Sequence, residues 1–415
     1  MLVHPVIATS YATALDSAVS GESTDAELPA AALEGPELLR RFALVSDGRS
    51  ERGRDHPVAV VLTLCAAAVL AGMRSFTAIA GWVADVPADL LFGLQGRPAG
   101  HPSKTTLWRV LTGADAAAVD AAVGAWLTQR AAERAAPPEG GADNGADGSE
   151  LVAIAVDGKT VRGALDADGN QVHLMAAATH VDSLVLGQVE VGAKTNEIPQ
   201  FAPLLDGLAA AGVDVSNIVI TADALHTQRG HAEHLHSIGA EFVLTAKQNQ
   251  PRLFAALNAL PWAQTPIAAR HVDTAHGRVT TRTIQVLPAP ADLPFPHVNQ
   301  VWLIERYVRD PTGTLLSAVA ALGITSLTPH RATPTDIATY VRDHWGIESL
   351  HWLRDTVYRE DHSTARTRSG PRVMAALRNL AIGAIHLHGR RDITETTRWA
   401  TRFMERSFKI LKLTP

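Results

Sequence analysis

Residues 151–158 read Leu151-Val-Ala-Ile-Ala-Val156-Asp157-Gly158, six apolar residues in a row that stop at an acid and a glycine. A short continuous apolar run closed by a turn signal is the pattern of a strand buried on both faces, as in an α/β sheet. Working outward, 172–180 and 184–191 are further strand candidates, joined by a tight connection at Asp182-Ser183. Residues 198–211 read as a helix, 218–221 as a buried strand ending at Asp223, 226–238 as a helix and 241–245 as a strand. Three strands, helix, strand, helix, strand is the order of an α/β domain with a mixed sheet, a meander followed by crossovers. From about 270 to 325 the chain turns β-rich again, most clearly at 280–287 and 301–308, and it is helical from Thr335 onward.

Two acids stand at telling places. Asp157 ends one apolar strand and Asp223 follows another, and active sites of open α/β sheets form at the C-terminal ends of strands. Neighbouring carboxylates there can hold a hard divalent cation such as Mg2+ (or Mn2+), and a third would complete a two-ion site that clamps attacking and leaving oxygens. Glu348, in the helical run His344-Trp345-Gly346-Ile347-Glu348, is the candidate third acid. Each acid also has a structural reading. Asp157-Gly158 is a turn dipeptide, Asp223 a helix N-cap, and Glu348 an exposed helix residue paired with Arg342 or Arg354.

The residues around these acids form five blocks in series. Ile154-Ala-Val-Asp157-Gly-Lys159-Thr-Val-Arg162-Gly resembles the first catalytic block of the DDE insertion-sequence transposases, closest to the ISAs group, also met as H-repeat-associated proteins. Gly192-Ala-Lys194-Thr-Asn196-Glu197-Ile198-Pro199 resembles that group's Lys-Ser-Asn-Glu-Ile-Pro block, with Thr195 in place of serine. Ile220-Thr-Ala-Asp223-Ala-Leu-His226-Thr-Gln228 resembles its second-Asp block, and Glu241-Phe-Val-Leu-Thr-Ala-Lys247-Gln-Asn249-Gln250-Pro251 the strand that follows. The run from His344 through Glu348, Trp352, Asp355 and Tyr358 to Asp361 resembles the block that carries the glutamate. Residues 70–82, from Leu70 to Trp82, resemble the group's associated N-terminal domain.

The resemblance implies an RNase H-like catalytic domain with Asp157, Asp223 and Glu348 as the metal triad. A β-rich insertion at about 255–330 would lie ahead of the glutamate. It implies two Mg2+ ions, cleavage of phosphodiesters at transposon ends, and strand transfer by in-line attack of a DNA 3′-hydroxyl. It also implies double-stranded DNA as partner and a homodimer when DNA is bound. Lys159, Arg162, Lys247, Asn249, Arg342 and His344 are the expected DNA contacts, and Glu197 and His226 possible auxiliaries at the metal site. One departure stands out. Many relatives carry Tyr-x2-Arg-x3-Glu-x6-Lys around the glutamate, where this chain has Val341, His344, Glu348 and Asp355. The phosphate roles of that Arg and Lys therefore do not carry over. A catalytically idle or domesticated DNA-binding relative, and a nuclease that cuts without joining ends, are the competing readings.

The remaining chain frames the catalytic region. Residues 1–36 are expected to be a mobile tail, 37–134 a helical N-terminal domain with a helix-turn-helix reader as one possibility, and 135–150 a Pro/Gly/Ala/Asp linker. The catalytic domain then takes 151–415. The net charge of −5 divides unevenly: −7 over 1–150, −4 over 151–330 and +6 over 331–415. That C-terminal surplus reads as a solvated helical face or as a phosphate-contacting surface. Cys65 is the one cysteine, which excludes an intrachain disulfide and a thiolate zinc site. His226, His231, His234 and His236 are too unspecific a set for zinc. Trp345 and Trp352, seven residues apart on one helical face, read as core packing, with base stacking as the alternative. The first twenty residues hold no Lys or Arg, so a secretory leader is not expected. With residues 57–73 read as a buried helix rather than a span, a cytoplasmic, nucleoid-associated protein is expected.

Overall fold

The computed structural model describes residues 35–50, 54–135, 151–165, 169–193 and 195–414. In chain order, the helices α1 (Glu37–Ala43), α2 (Val58–Leu70), α3 (Phe76–Ala84), α4 (Ala88–Gln95), α5 (Lys104–Gly113) and α6 (Ala116–Ala135) come first. The strands β1 (Val152–Leu165), β2 (Gln171–Thr179) and β3 (Val185–Val191) follow, then α7 (Phe201–Ala210), β4 (Ile218–Ala222), α8 (Arg229–Ser237), β5 (Glu241–Ala246) and α9 (Pro251–Asn258). Four long strands come next: β6 (Ala269–Ala275), β7 (Arg278–Pro288), β8 (Gln300–Arg309) and β9 (Leu315–Thr325). The chain ends in α10 (Pro334–Asp343), α11 (Trp345–Thr356), α12 (Gly370–Leu387), α13 (Ile393–Thr401) and α14 (Met404–Ile410).

Two compact units emerge. The first takes the described residues within Met1–Asp147, Gly158–Asp214 and Glu348–Pro415, and the second those within Gly148–Asp157 and Val215–Ile347. Strand β1 supplies its first residues to the second unit and the rest to the first.

In the first unit, the C-terminal part of β1, β2 and β3 form the meander in the order β3-β2-β1. Strands β2 and β3 pair antiparallel, from His173↔Val191 to Ala178↔Val185. The left-handed residues Asp182 (φ 63°) and Ser183 (φ 50°) make the tight connection expected there. Helix α2 is apolar all round and buried along nearly its whole length, which makes it a core helix. It packs against α1 and α12, while α6 packs against α12 and β3. Small residues permit this. A Cβ on Gly124 would stand 2.0 Å from the Leu186 carbonyl oxygen, and one on Gly383 2.6 Å from Leu127. The helices expected to form a domain of their own at 37–134 therefore share a unit with the meander and with the C-terminal helices. The expected tail (1–34) and linker (136–150) fall outside the described residues.

In the second unit the order is β1-β4-β5-β9-β8-β7-β6. The strands β1, β4 and β5 are parallel, and β9 joins β5 antiparallel. The expected β-rich insertion is thus four strands that extend the same sheet beyond β5. All five residues of β4 are buried, as a central parallel strand requires. Trp302 anchors the core with Val219, Val243, Ile284 and Ile337. It lies over Gly323, its cross-strand partner, where a Cβ would come within 2.0 Å of the indole.

The observed elements bear out an α/β RNase H-like architecture: a meander, then parallel β4 and β5 joined by helices. One expected element divides. The helical stretch read from Thr335 onward begins as two helices meeting at His344, where the Ile347 amide bonds the His344 carbonyl in a tightened three-residue step. Among the described residues no single helix is long and apolar enough to cross a membrane.

Candidate active site

In the second unit, β1 and β4 run parallel with Val156 opposite Ala222. Asp157 and Asp223 are each the next residue along; Asp223 follows the end of β4, whereas Asp157 lies within β1, which continues to Leu165, so the sequence reading that ended the strand at Asp157 is corrected. Adjacent strands lie about 4.8 Å apart. Ile154–Val156 and Ile218–Ala222 are buried on both faces, which seats the paired segments in the middle of the sheet. Asp223 is exposed and caps the short 3-10 turn Ala224–His226, its Oδ1 accepting from the Leu225 amide at 2.9 Å. The N-cap reading of this acid is therefore correct as far as it goes, and the cap fixes its carboxylate.

Neighbouring side chains hold the turn in place. Asn249 Nδ2 donates to the Ala224 carbonyl at 2.5 Å, and Thr227 Oγ1 to the Thr245 carbonyl at 2.6 Å. Asn249, expected as a DNA contact, thus braces the turn after Asp223, and both it and Lys247 are exposed. His226, expected as an auxiliary, is fully buried and stacks on His231 with ring centroids 5.5 Å apart. His344 makes a 3.0 Å hydrogen bond through Nδ1 with Thr221 Oγ1, two residues before Asp223. That bond ties the junction of α10 and α11 to β4, and Glu348 follows four residues later in the first turn of α11. A carboxylate there is favoured by the helix dipole.

Arg342 forms an ion pair with Asp343 at 2.7 Å. It also belongs to a basic group that the sequence did not reveal. Arg282 and Arg306 are directly opposed on β7 and β8. Burial, then Arg306 and Arg342, push the proton affinity of the Arg282 guanidinium down. Like charges in register disfavour the sheet, and Asp273 and Asp343 offset part of that charge.

In the first unit, Lys159 departs from expectation. It is 7% exposed and lies 2.8 Å from Asp355, 3.3 Å from Asp361 and 3.8 Å from Glu360. Its charge is taken up by protein carboxylates, so it is not a phosphate contact. Glu360 is fully buried and also binds Arg354 at 2.9 Å and Arg378 at 2.8 Å. Burial pushes its carboxyl up, but the two guanidiniums and Lys159 outweigh this and hold it at about 2. Lys159, Arg354 and Arg378, with Arg162 at the edge 3.7 Å from Asp361, thus surround three carboxylates in one cluster, and this accounts for Asp355, Glu360 and Asp361 in the last block. Arg162 keeps an outward side chain, 77% exposed. Trp345 and Trp352 correct another reading. They are 59% and 63% exposed, so neither is core.

Glu197 closes a relay in the same unit. It meets His173 Nε2 at 2.8 Å, and His173 Nδ1 meets Thr160 Oγ1 at 2.8 Å. The carboxylate lies against Gly158, the residue after Asp157.

Among the described residues, no three His, Cys, Asp or Glu side chains are gathered closely enough to hold a metal ion. The Asp157–Asp223 pair offers oxygen donors only, and that donor chemistry fits a hard divalent cation.

The chain matches two families of known proteins. The transposase DDE domain family covers residues 148–383, and the DDE_Tnp_1-associated family covers residues 39–127. Two Escherichia coli (strain K12) proteins are similar over 373 residues: YbfL at 25% identity and YhhI, an H repeat-associated protein, at 24%. Each comparison covers 85% of this chain and 91% of the other. A protein in the dhlA 3′ region of Xanthobacter autotrophicus is 29% identical over 273 residues, 62% of this chain and 82% of that one. With more than half its length matched, and with the strand order observed above, the chain belongs to the transposase DDE domain family.

Proposed function

We propose that this transposase hydrolyses phosphodiesters at the ends of a DNA element and joins the freed 3′-hydroxyls to target DNA, with Asp157, Asp223 and Glu348 as its catalytic acids. The observation that carries the reading is the register Val156↔Ala222, after which Asp157 within β1 and Asp223 just past β4 follow on neighbouring strands of a DDE-family sheet. Asp157, Asp223 and Glu348 would hold two Mg2+ (or Mn2+) ions, which when bound acidify water and offset charge at the phosphate.

The protein's own part is position. The Asp223 cap and the Asn249 brace hold one carboxylate still. The His344–Thr221 bond sets where α11 begins, and with it Glu348. Lys247, Arg162 and Arg342 with its neighbours Arg282 and Arg306 meet the DNA backbone, where guanidiniums match phosphate geometry. Glu197 orients His173 beside Gly158. A homodimer pairing two element ends completes the assembly.

The test is cleavage and joining of a duplex carrying the element's terminal sequences in Mg2+. Asp157→Asn is expected to abolish strand cleavage and leave DNA binding within about threefold of wild type. Cleavage that survives in Asp157→Asn sinks the triad. Hydrolysis by the wild type without joined product favours a nuclease over a transposase.

A further inference from the structure

We propose that a cavity at the start of α12 seats a phosphate of the DNA backbone, a contact distinct from the acids Asp157 and Asp223. The proposal rests on the DNA-binding reading above. The segment from the 3-10 turn Glu360–His362 to α12 reads Ser363-Thr-Ala-Arg366-Thr367-Arg368-Ser369. It borders a cavity of about 290 Å³ whose polar lining is Arg366, Thr367, Arg368, Arg372 and Glu190. Three guanidiniums face one carboxylate there.

The three arginines differ in a way that suits capture of an anion. Arg372 is anchored, with Nε 2.7 Å from Asp120 Oδ2 and Nη2 donating to the Gln188 carbonyl at 3.1 Å. Arg366 spends only its Nε, on the Gly163 carbonyl at 3.0 Å, which orients the head and leaves its terminal nitrogens to a ligand. Arg368 is exposed, and among the described residues its guanidinium has no partner. Its backbone is left-handed at φ 46°, a region that favours glycine. The fold therefore places an unsatisfied charge at this point at the expense of backbone ease.

The segment is held against β1 by a bare strand position. A Cβ on Gly163 would fall 2.6 Å from the Asp361 carbonyl oxygen and 2.9 Å from that of Ser363. The neighbouring Arg162 is 77% exposed and sits 3.7 Å from Asp361 through its Nε, which leaves its terminal nitrogens facing outward beside the cavity. A string of cations along an open surface suits a polyanion better than an isolated small anion, and the guanidinium fork suits a phosphodiester. The site also accounts for part of the basic surplus of residues 331–415.

The experiment uses the full-length protein and a labelled DNA duplex, with affinity measured by anisotropy across a salt series. Arg368→Gly removes the charge and relieves the backbone, so its thermal midpoint is expected to match or exceed that of the wild type. Its DNA affinity is expected to fall, and its slope of log K against log salt to flatten by about 0.9, the effect of one lost phosphate contact. Arg366→Gln is expected to flatten the slope similarly. Unchanged slopes in both variants, with wild-type binding intact, overturn the cavity alone. A wild type that binds no duplex overturns the DNA reading beneath it. Inorganic phosphate at matched ionic strength is the second ligand. Thermal protection by phosphate together with unchanged DNA slopes in the variants marks a small-anion site and overturns the proposal.

Discussion

The carboxylate of Glu197 occupies the space where a side chain at residue 158 would begin: a Cβ on Gly158 would lie 2.1 Å from Glu197 Oε1 and 2.7 Å from His173 Nε2. Glycine at 158 is thus required by packing against an acid from another block of the sequence, and φ at this position is not the reason. The turn signal read from Asp157-Gly158 has a different cause, because β1 continues through it to Leu165.

Gly158→Ala is expected to destabilise the protein by about 1–3 kcal/mol, the usual cost of overpacking a filled site. Adding Glu197→Ala removes the nearest clash and should return part of that loss. Urea denaturation of the two single variants and the double variant measures the coupling. Strictly additive losses would show that Glu197 and Gly158 do not meet in solution.

Lys159→Met tests the buried cluster. It leaves Asp355, Glu360 and Asp361 without their shared cation. Breaking one side of a buried ion pair costs about 3–5 kcal/mol. We expect a loss of that order in chemical denaturation. A surface lysine would show a change near zero, so a loss below about 0.5 kcal/mol would contradict the burial.

Glu360 predicts acid sensitivity. Its carboxyl lies at about 2 in the folded protein against an ordinary value of 4.5. Because the folded value is the lower one, the contribution is fully present above about pH 4.5 and is lost as pH falls towards 2. The size is about 3 kcal/mol at 1.36 kcal/mol per unit. Unfolding free energies across this window should fall more steeply in the wild type than in Glu360→Gln, which is weaker throughout but lacks this titration. Parallel curves would remove Glu360 as the source.

Much of the framework was legible in the chain because continuous apolar runs mark buried strands without reference to their neighbours. Runs at 151–156 and 218–221 marked the start of β1 and nearly all of β4, and Asp157 and Asp223 followed them, although β1 continues past Asp157 to Leu165. What failed to show locally was partnership. Lys159 looks like any lysine near a strand end until Asp355, Glu360 and Asp361, some 200 residues away, are folded around it. Trp345 and Trp352 share a helical face by spacing, but spacing does not say whether the face is covered, and it is open. The break at His344 has only Gly346, already inside the next helix, as a local signal.

By itself the sequence determined the order of the elements, the acids Asp157 and Asp223 and the family to which they belong. Hydrophobic period and block spacing are local or collinear properties, and these survive in one dimension. Only the tertiary structure decided that the insertion strands extend the same sheet and that the N-terminal helices pack with β3 and α12. It also decided which of the expected phosphate contacts are already spent: Lys159 is buried among carboxylates, while Arg366 and Arg368 line a cavity. Burial and charge pairing depend on which distant segments meet, and that is set by packing.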